Sequence, residues 1–157
     1  METLEHELRS HPFVGDLEPA YLTVLASCAT NVEFPAHRFL FREGMHASGC
    51  FLIREGKVGL EIATLGQGPI VIETVGAGQV AGFSWLLEPH MYQFDGRAIE
   101  PVRAVALDGD ELRARCEQDP RLGFELMRRF AHLAAERLQS TRLRLLDVYG
   151  TPRAPRY

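Results

Sequence analysis

Between Asn31 and Asp108 the chain never runs more than a few residues without a turn signal, and this limits its fold more than any other feature. Short apolar runs recur at intervals of about ten residues: Phe39-Leu-Phe, Cys50-Phe-Leu-Ile, Val58-Gly-Leu-Glu-Ile, Ile70-Val-Ile and Val102-Arg-Ala-Val-Ala-Leu. Glu43-Gly44, Glu55-Gly56, Gly66-Gln-Gly-Pro69 and Gly76-Ala-Gly78 stand between them, and such breakers leave no room for helices. In Val58, Leu60 and Ile62, and again in Val102, Ala104 and Ala106, small or apolar residues occupy alternate positions, as on a half-buried antiparallel sheet. About eight short strands with glycine turns point to a mainly β fold with flanking helices, an eight-stranded antiparallel jelly-roll β-barrel. Gly56 supplies the positive backbone dihedral that a tight hairpin needs.

The flanks carry a helical signature. Asp16-Leu-Glu-Pro offers a cap with proline early in the helix, and Tyr21, Leu22, Leu25, Ala26 and Ala29 follow at helical spacing. Asp108-Gly-Asp-Glu-Leu opens a short helix toward Glu117; Asp119-Pro120 then caps a long one that meets no breaker before Gly150. Along it Met127, Ala131, Ala134, Leu138, Thr141, Leu145 and Val148 follow in alternating steps of four and three, a heptad seam with small residues at its centre. A second row, Leu122, Leu126, Phe130 and Leu133, lies on another face. Two apolar faces both require burial, so one is expected to meet the chain's own body and the other the same helix of a second copy, giving a homodimer. Residues 1–118 form the body, 119–149 the long dimerisation helix and 150–157 a tail.

Length and composition narrow the function. A chain of 157 residues holds one sizeable core. No apolar stretch approaches the ~20 residues that cross a bilayer, and the acidic N-terminus lacks a secretory layout. Cys28, Cys50 and Cys116 are scattered and odd in number, which fits a reducing cytoplasm better than a disulfide framework. Beyond Pro120 the chain has eight arginines against three acids, whereas residues 1–119 are strongly acidic. Arginines so dispersed read as a solvated helix face meeting acids of the body or of a second subunit. Cupin-type metal catalysis needs convergent imidazoles, and His37, His46 and His90 are isolated. Cys50, His90, Met91 and His132 are side chains of the kind that ligate haem, but as lone residues they give no reason to expect one. No nucleophile elbow, P-loop or paired catalytic carboxylates occur, so no enzyme and no cofactor are expected.

Several stretches together resemble cyclic-nucleotide-binding domains of the Crp/Fnr type. These are Leu4 to Phe13 with Gly15-Asp-Leu, Phe39-Leu-Phe-Arg-Glu-Gly44, Cys50-Phe-Leu-Ile-Arg-Glu-Gly56-Lys-Val58, Gly76-Ala-Gly-Gln-Val-Ala-Gly82, Arg137-Leu-Gln-Ser-Thr141 and Leu146-Asp-Val-Tyr-Gly150. The resemblance covers about residues 10–150 and implies a regulatory, ligand-responsive domain. The family's phosphate-binding cassette reads F-G-E-x-A, followed about ten residues later by R-S/T-A; its backbone N–H groups and arginine hold the cyclic phosphate, and its glutamate takes the ribose hydroxyl. Here the aligned stretch is Ala81-Gly82-Phe83-Ser84-Trp85-Leu86-Leu87, with Phe83 where the glutamate belongs. Met91-Tyr92-Gln93-Phe94 takes the place of R-S/T-A, so Tyr92 or Gln93 replaces the arginine. An anion buried among aromatics would lose several kcal/mol of compensation, which argues against ordinary cyclic nucleotide binding.

Two readings of this altered cassette remain open. Phe83, Trp85, Met91, Tyr92 and Phe94 could line a pocket for a flatter, more apolar effector, with Ser84, Tyr92 and Gln93 as polar contacts and Arg97 as a cation if the loop register shifts. Alternatively these side chains fill the pocket themselves, leaving a structural or partner-binding module. The resemblance matches Thr141 to the long-helix residue that meets the purine across the dimer. The relatives' DNA-binding domain has no counterpart in the seven residues after Gly150, so no direct DNA contact is expected of this chain.

Overall fold

The computed structural model describes residues 3–149. Thr3 caps helix α1 (Leu4–Ser10), its hydroxyl accepting from the His6 N–H at 3.3 Å, and α2 (Pro19–Ser27) begins on proline. The strands are β1 (Ala29–Phe34), β2 (Phe39–Phe41), β3 (Gly49–Glu55), β4 (Lys57–Thr64), β5 (Gly68–Gly76), β6 (Val80–Ala81), β7 (Asp95–Ala98) and β8 (Val102–Asp108). A single 3-10 turn, Ser84–Leu86, lies between β6 and β7. Helix α3 (Gly109–Gln118) is capped by Asp108, whose carboxylate accepts from the Glu111 N–H at 3.1 Å. Asp119 then starts α4 (Pro120–Tyr149), accepting from the N–H groups of Arg121 and Leu122. Capping satisfies amides that a helix start would otherwise leave unpaired. Ala29 falls in β1 rather than in the helix, because α2 stops at Ser27 and Ala29 pairs with Leu107 of β8.

The expected eight antiparallel strands are present as two four-stranded sheets, ordered β1-β8-β3-β6 and β2-β7-β4-β5, and not as a closed barrel. Closure requires every edge strand to pair onward. Here β6 has two residues and β2 three, too few to carry a ladder round the corner, so the sheets face one another across side chains. Gly56 turns the β3–β4 hairpin with φ 92°, and a Cβ there would fall 2.1 Å from the Pro101 carbonyl oxygen. Val58 and Leu60 are buried, but Ile62 is 39% exposed, since the β4–β5 hairpin runs past the core to a fully exposed Leu65. The next residue after Leu60, Glu61, is buried at 5% exposure, covered by Arg97.

Helices α1, α2 and α3 lie against the β1-β8-β3-β6 sheet, and α4 packs on α3. Leu122, Leu126 and Phe130 of α4 are buried and Leu133 half-buried, so this row packs on the body. The heptad seam behaves differently. Met127, Leu138, Leu145 and Val148 are exposed, as are Ala131 and Thr141, and Ala134 is half-buried. Among the described residues no helix is long and apolar enough to cross a membrane.

Candidate functional site

The cassette leaves β6 through Gly82, whose φ of 87° lies in the left-handed region that side-chain-bearing residues avoid. That kink sends the following residues in three directions, so the predicted site residues do not form one pocket.

Tyr92 and Phe94 enter the space between the sheets. The Tyr92 ring stacks on Phe41 at 4.2 Å, and Phe94 lies tilted against Phe41 at 6.2 Å. Phe51 of β3 stacks on the same Phe41 at 6.2 Å and meets Phe34 edge-on at 5.7 Å. Phe41 and Tyr92 are buried, and Phe34, Phe51 and Phe94 are half-buried around them. The Tyr92 hydroxyl, one of the two candidates for the position where the resemblance places an arginine, donates to the Gly49 carbonyl at 2.7 Å. Burial raises its pKa, so the phenol stays neutral and offers no charge. Gln93 and Met91 are exposed; the Gln93 amide turns back to donate to the Met91 carbonyl at 3.1 Å.

Trp85 goes the opposite way. Its side chain is wholly buried and meets Phe130 of α4 edge-on at 5.4 Å, and Phe130 in turn meets Phe13 edge-on at 5.0 Å. Its carbonyl accepts from Arg113 of α3 at 2.5 Å, and the same guanidinium grips Asp110 at 2.6 Å. His46 contacts the Asp110 carboxylate at 3.1 Å; the hydrogen bonds from His46 and then Arg113 hold that carboxyl below its usual range. The turn that includes half-buried Ser84 is thereby fastened to both α3 and α4.

Arg97 lies on the outer face of its sheet. It sits opposite Gly59 and Phe39 in the register, out of step with inward-facing Ala98 and Gly96. Its Nε and Nη2 donate to one Glu61 oxygen at 3.0 and 2.9 Å, and its guanidinium lies 5.2 Å from the Phe39 ring centroid. A guanidinium spent this way is not directed at the roll interior. The four haem-type side chains are equally dispersed. Cys50 is buried on β3, where burial pushes its thiol up to about 12, and exposed His132 pairs with Glu136 on α4. His90 and Met91 are on the cassette loop. Among the described residues no cluster of three or more His, Cys, Asp or Glu is placed to hold a metal.

Phe83 takes the third direction, toward α4. The Arg137 guanidinium lies 5.4 Å from its ring centroid and donates to the Val80 carbonyl. The Arg137 side chain is 12% exposed, its Nε is 3.9 Å from the Glu73 carboxylate, and its Nη1 is buried without a hydrogen-bond partner. Desolvation lowers its pKa, against a weaker opposing pull from Glu73. Between β5 and α4, Glu73 and Arg137 border a cavity of about 200 Å³, lined also by Gln79, Leu133, Glu136 and Ser140. Thr141, one residue further, is exposed, its hydroxyl donating to the Arg137 carbonyl at 2.9 Å. Arg137 was visible in the sequence as a misfit. It continues the body-facing row Leu122, Leu126, Phe130, Leu133 at a step of four, a cation where an apolar residue is due.

The comparisons agree with this architecture. The family model described as cyclic nucleotide-binding domain matches residues 31–119. A CRP-like cAMP-activated global transcriptional regulator of Mycobacterium tuberculosis is 26% identical over 135 residues, which is 86% of this chain and 58% of that protein. The chain thus spans little more than half the length of that curated relative. Among solved structures, a provisionally assigned cyclic nucleotide-binding protein from Geobacter metallireducens GS-15 superposes with a TM-score of 0.78 at 30% identity, covering 88% of this chain and 99% of its own. The catabolite activator protein of Thermus thermophilus gives a TM-score of 0.68 at 24% identity, covering 88% of this chain and 63% of its own. With more than half its length matched by the family model and this jelly roll closed by a long helix, the chain belongs to the cyclic nucleotide-binding domain family.

Proposed function

We propose that the chain is a regulatory domain that responds to a small effector other than an ordinary cyclic nucleotide and passes its state to a second copy through α4. The observation that carries this reading is the altered cassette: Tyr92 is buried and hydrogen-bonded to Gly49 within the stretch that takes the place of R-S/T-A, while two helix arginines meet the cassette, Arg113 at the Trp85 carbonyl and Arg137 at the Phe83 ring. An effector in contact with both Phe83 and Arg137 touches cassette and helix together, so any preference for one helix orientation shifts the population. The exposed seam from Met127 to Val148 supports a parallel pair of α4 helices, because apolar side chains at heptad spacing stay in water unless a partner covers them.

Calorimetry is the test: cyclic AMP and cyclic GMP give no saturable heat, and a compound from a metabolite set does. Binding of cyclic AMP with the affinity usual in the family overturns the reading. The five-ring layer between the sheets favours a second one, a partner-binding module with a self-filled interior and no effector. Silence of every compound, with α4 still pairing the copies, selects that reading instead.

A further inference from the structure

The cavity between β5 and α4 has a chemistry of its own, apart from the cassette. Arg137 is a buried cation with incomplete compensation: one carboxylate at 3.9 Å, one carbonyl, one aromatic face, and an N–H group with no acceptor. Burying a guanidinium is costly unless its donors are satisfied, so a hydrogen-bond acceptor delivered here would recover part of that cost. Two carboxylates on the lining have the opposite sign, beside the neutral Thr74, Val75 and Leu133. Glu73 on β5, 21% exposed, and Glu136 on α4 both border the same space, with Gln79 and Ser140 as neutral partners. A ligand bearing only negative charge would meet two carboxylates, and one bearing only positive charge would meet the guanidinium. A cavity of about 200 Å³ is also below the roughly 300–1,000 Å³ usual for drug-sized ligands.

We infer that this cavity is a site for a small zwitterion of the α-amino acid type, its carboxylate taken by Arg137 and its ammonium group by Glu73 and Glu136. The inference rests on the effector reading above and deepens it by naming the ligand class. Binding at this place inserts charge between β5 and α4. It loosens the Glu73–Arg137 contact and exchanges it for contacts through the ligand, to Glu73 on β5 and to Arg137 and Glu136 on α4, which ties helix position to occupancy.

The probes are the L-α-amino acids taken one at a time, with acetate, methylamine, inorganic phosphate and cyclic AMP alongside, on the full chain by calorimetry and by amide NMR. The expected result is saturable binding of at least one amino acid, movement of the Gln79 and Ser140 resonances, and no response to acetate or methylamine alone. Arg137→Gln weakens that binding about tenfold or more, as loss of a charge-assisted bond does, and Glu73→Gln weakens it less. The NMR shifts on the unsubstituted protein keep the test decisive should Arg137→Gln fail to fold. Absence of amino acid binding, or binding unaffected by Arg137→Gln with shifts elsewhere, overturns the inference. Response to inorganic phosphate alone overturns it while leaving an effector-driven domain, response to cyclic AMP alone overturns both readings, and silence of all these probes overturns the inference.

Discussion

Tyr92 shows how one residue changes what a familiar position can do. Within the stretch that the resemblance aligns with a charged clamp stands a neutral phenol, buried, stacked and bonded to a backbone carbonyl. Tyr92→Phe keeps the ring and removes the bond, leaving the Gly49 carbonyl without this donor. Urea unfolding is expected to show a loss of roughly 1–2 kcal/mol, with the fold retained. His11 gives the second residue-scale expectation. Its Nδ1 accepts from the Phe13 N–H at 3.2 Å, so Nε2 carries the proton and donates to the Ile53 carbonyl at 3.0 Å. Burial, aided by the charge on Arg54, lowers its pKa below 6.5 despite the opposing backbone bonds. The folded chain therefore prefers the neutral ring. Its contribution is complete above pH 6.5 and declines as pH falls through the depressed folded value, because the unfolded chain takes up the proton first. The lowered carboxyls Asp16 and Asp110 act below 3.8, so the decline just under pH 6.5 belongs to the histidine. Urea midpoints at pH 7 and pH 5 should differ in that direction, and His11→Gln should flatten the difference.

At the scale of elements, α4 has a buried face on the body and an exposed seam to which the proposed function gives a pairing role, and substitutions should separate them. Leu126 is buried at 1% exposure against the body, so Leu126→Ala is expected to cost about 2–5 kcal/mol in unfolding experiments. Leu138 is 52% exposed on the seam. Leu138→Glu should leave the far-UV spectrum and the melting of the body nearly unchanged, while light scattering reports a monomer where the parent is a dimer. Equal masses for the two proteins would remove the role given to the seam. The strands divide in a similar way by legibility. The runs in β2, β3, β4, β5 and β8 were readable because their apolar residues stand together between glycines. β7, Asp95-Gly-Arg-Ala98, was not, because its outward residues are polar and its inward ones are the small Gly96 and Ala98, with the Phe41 ring lying over Gly96. β6, two residues long inside an apolar run, could not be told from its neighbours.

For the molecule as a whole, the cassette turn joins the two ends of the structure. Trp85, Phe130 and Phe13 form a chain of edge-on rings from the cassette through α4 to the segment after α1, and Arg113 ties the same turn to α3. Trp85→Ala opens a cavity at that junction and is expected to cost about 3–5 kcal/mol, the largest single loss among these substitutions. Because Trp85 is the chain's one tryptophan, the fluorescence of the unsubstituted protein reports the junction directly. Thermal and urea transitions followed by that signal and by circular dichroism should coincide if cassette, helices and sheets unfold together.

Periodicity and glycine spacing determined the class of fold, the long helix and its two faces, since these are local properties of a chain with side chains at fixed intervals. The cassette replacements are what the resemblance to the family implies. Tertiary structure alone decided the direction each took after Gly82: Tyr92 between the sheets, Trp85 into the helices, Phe83 under Arg137, and Arg97 outward onto Glu61. It also brought Glu73 and Arg137, far apart in sequence, to one cavity. Direction and long-range contact depend on which neighbours compete for the same space, and no spacing along the chain records that competition.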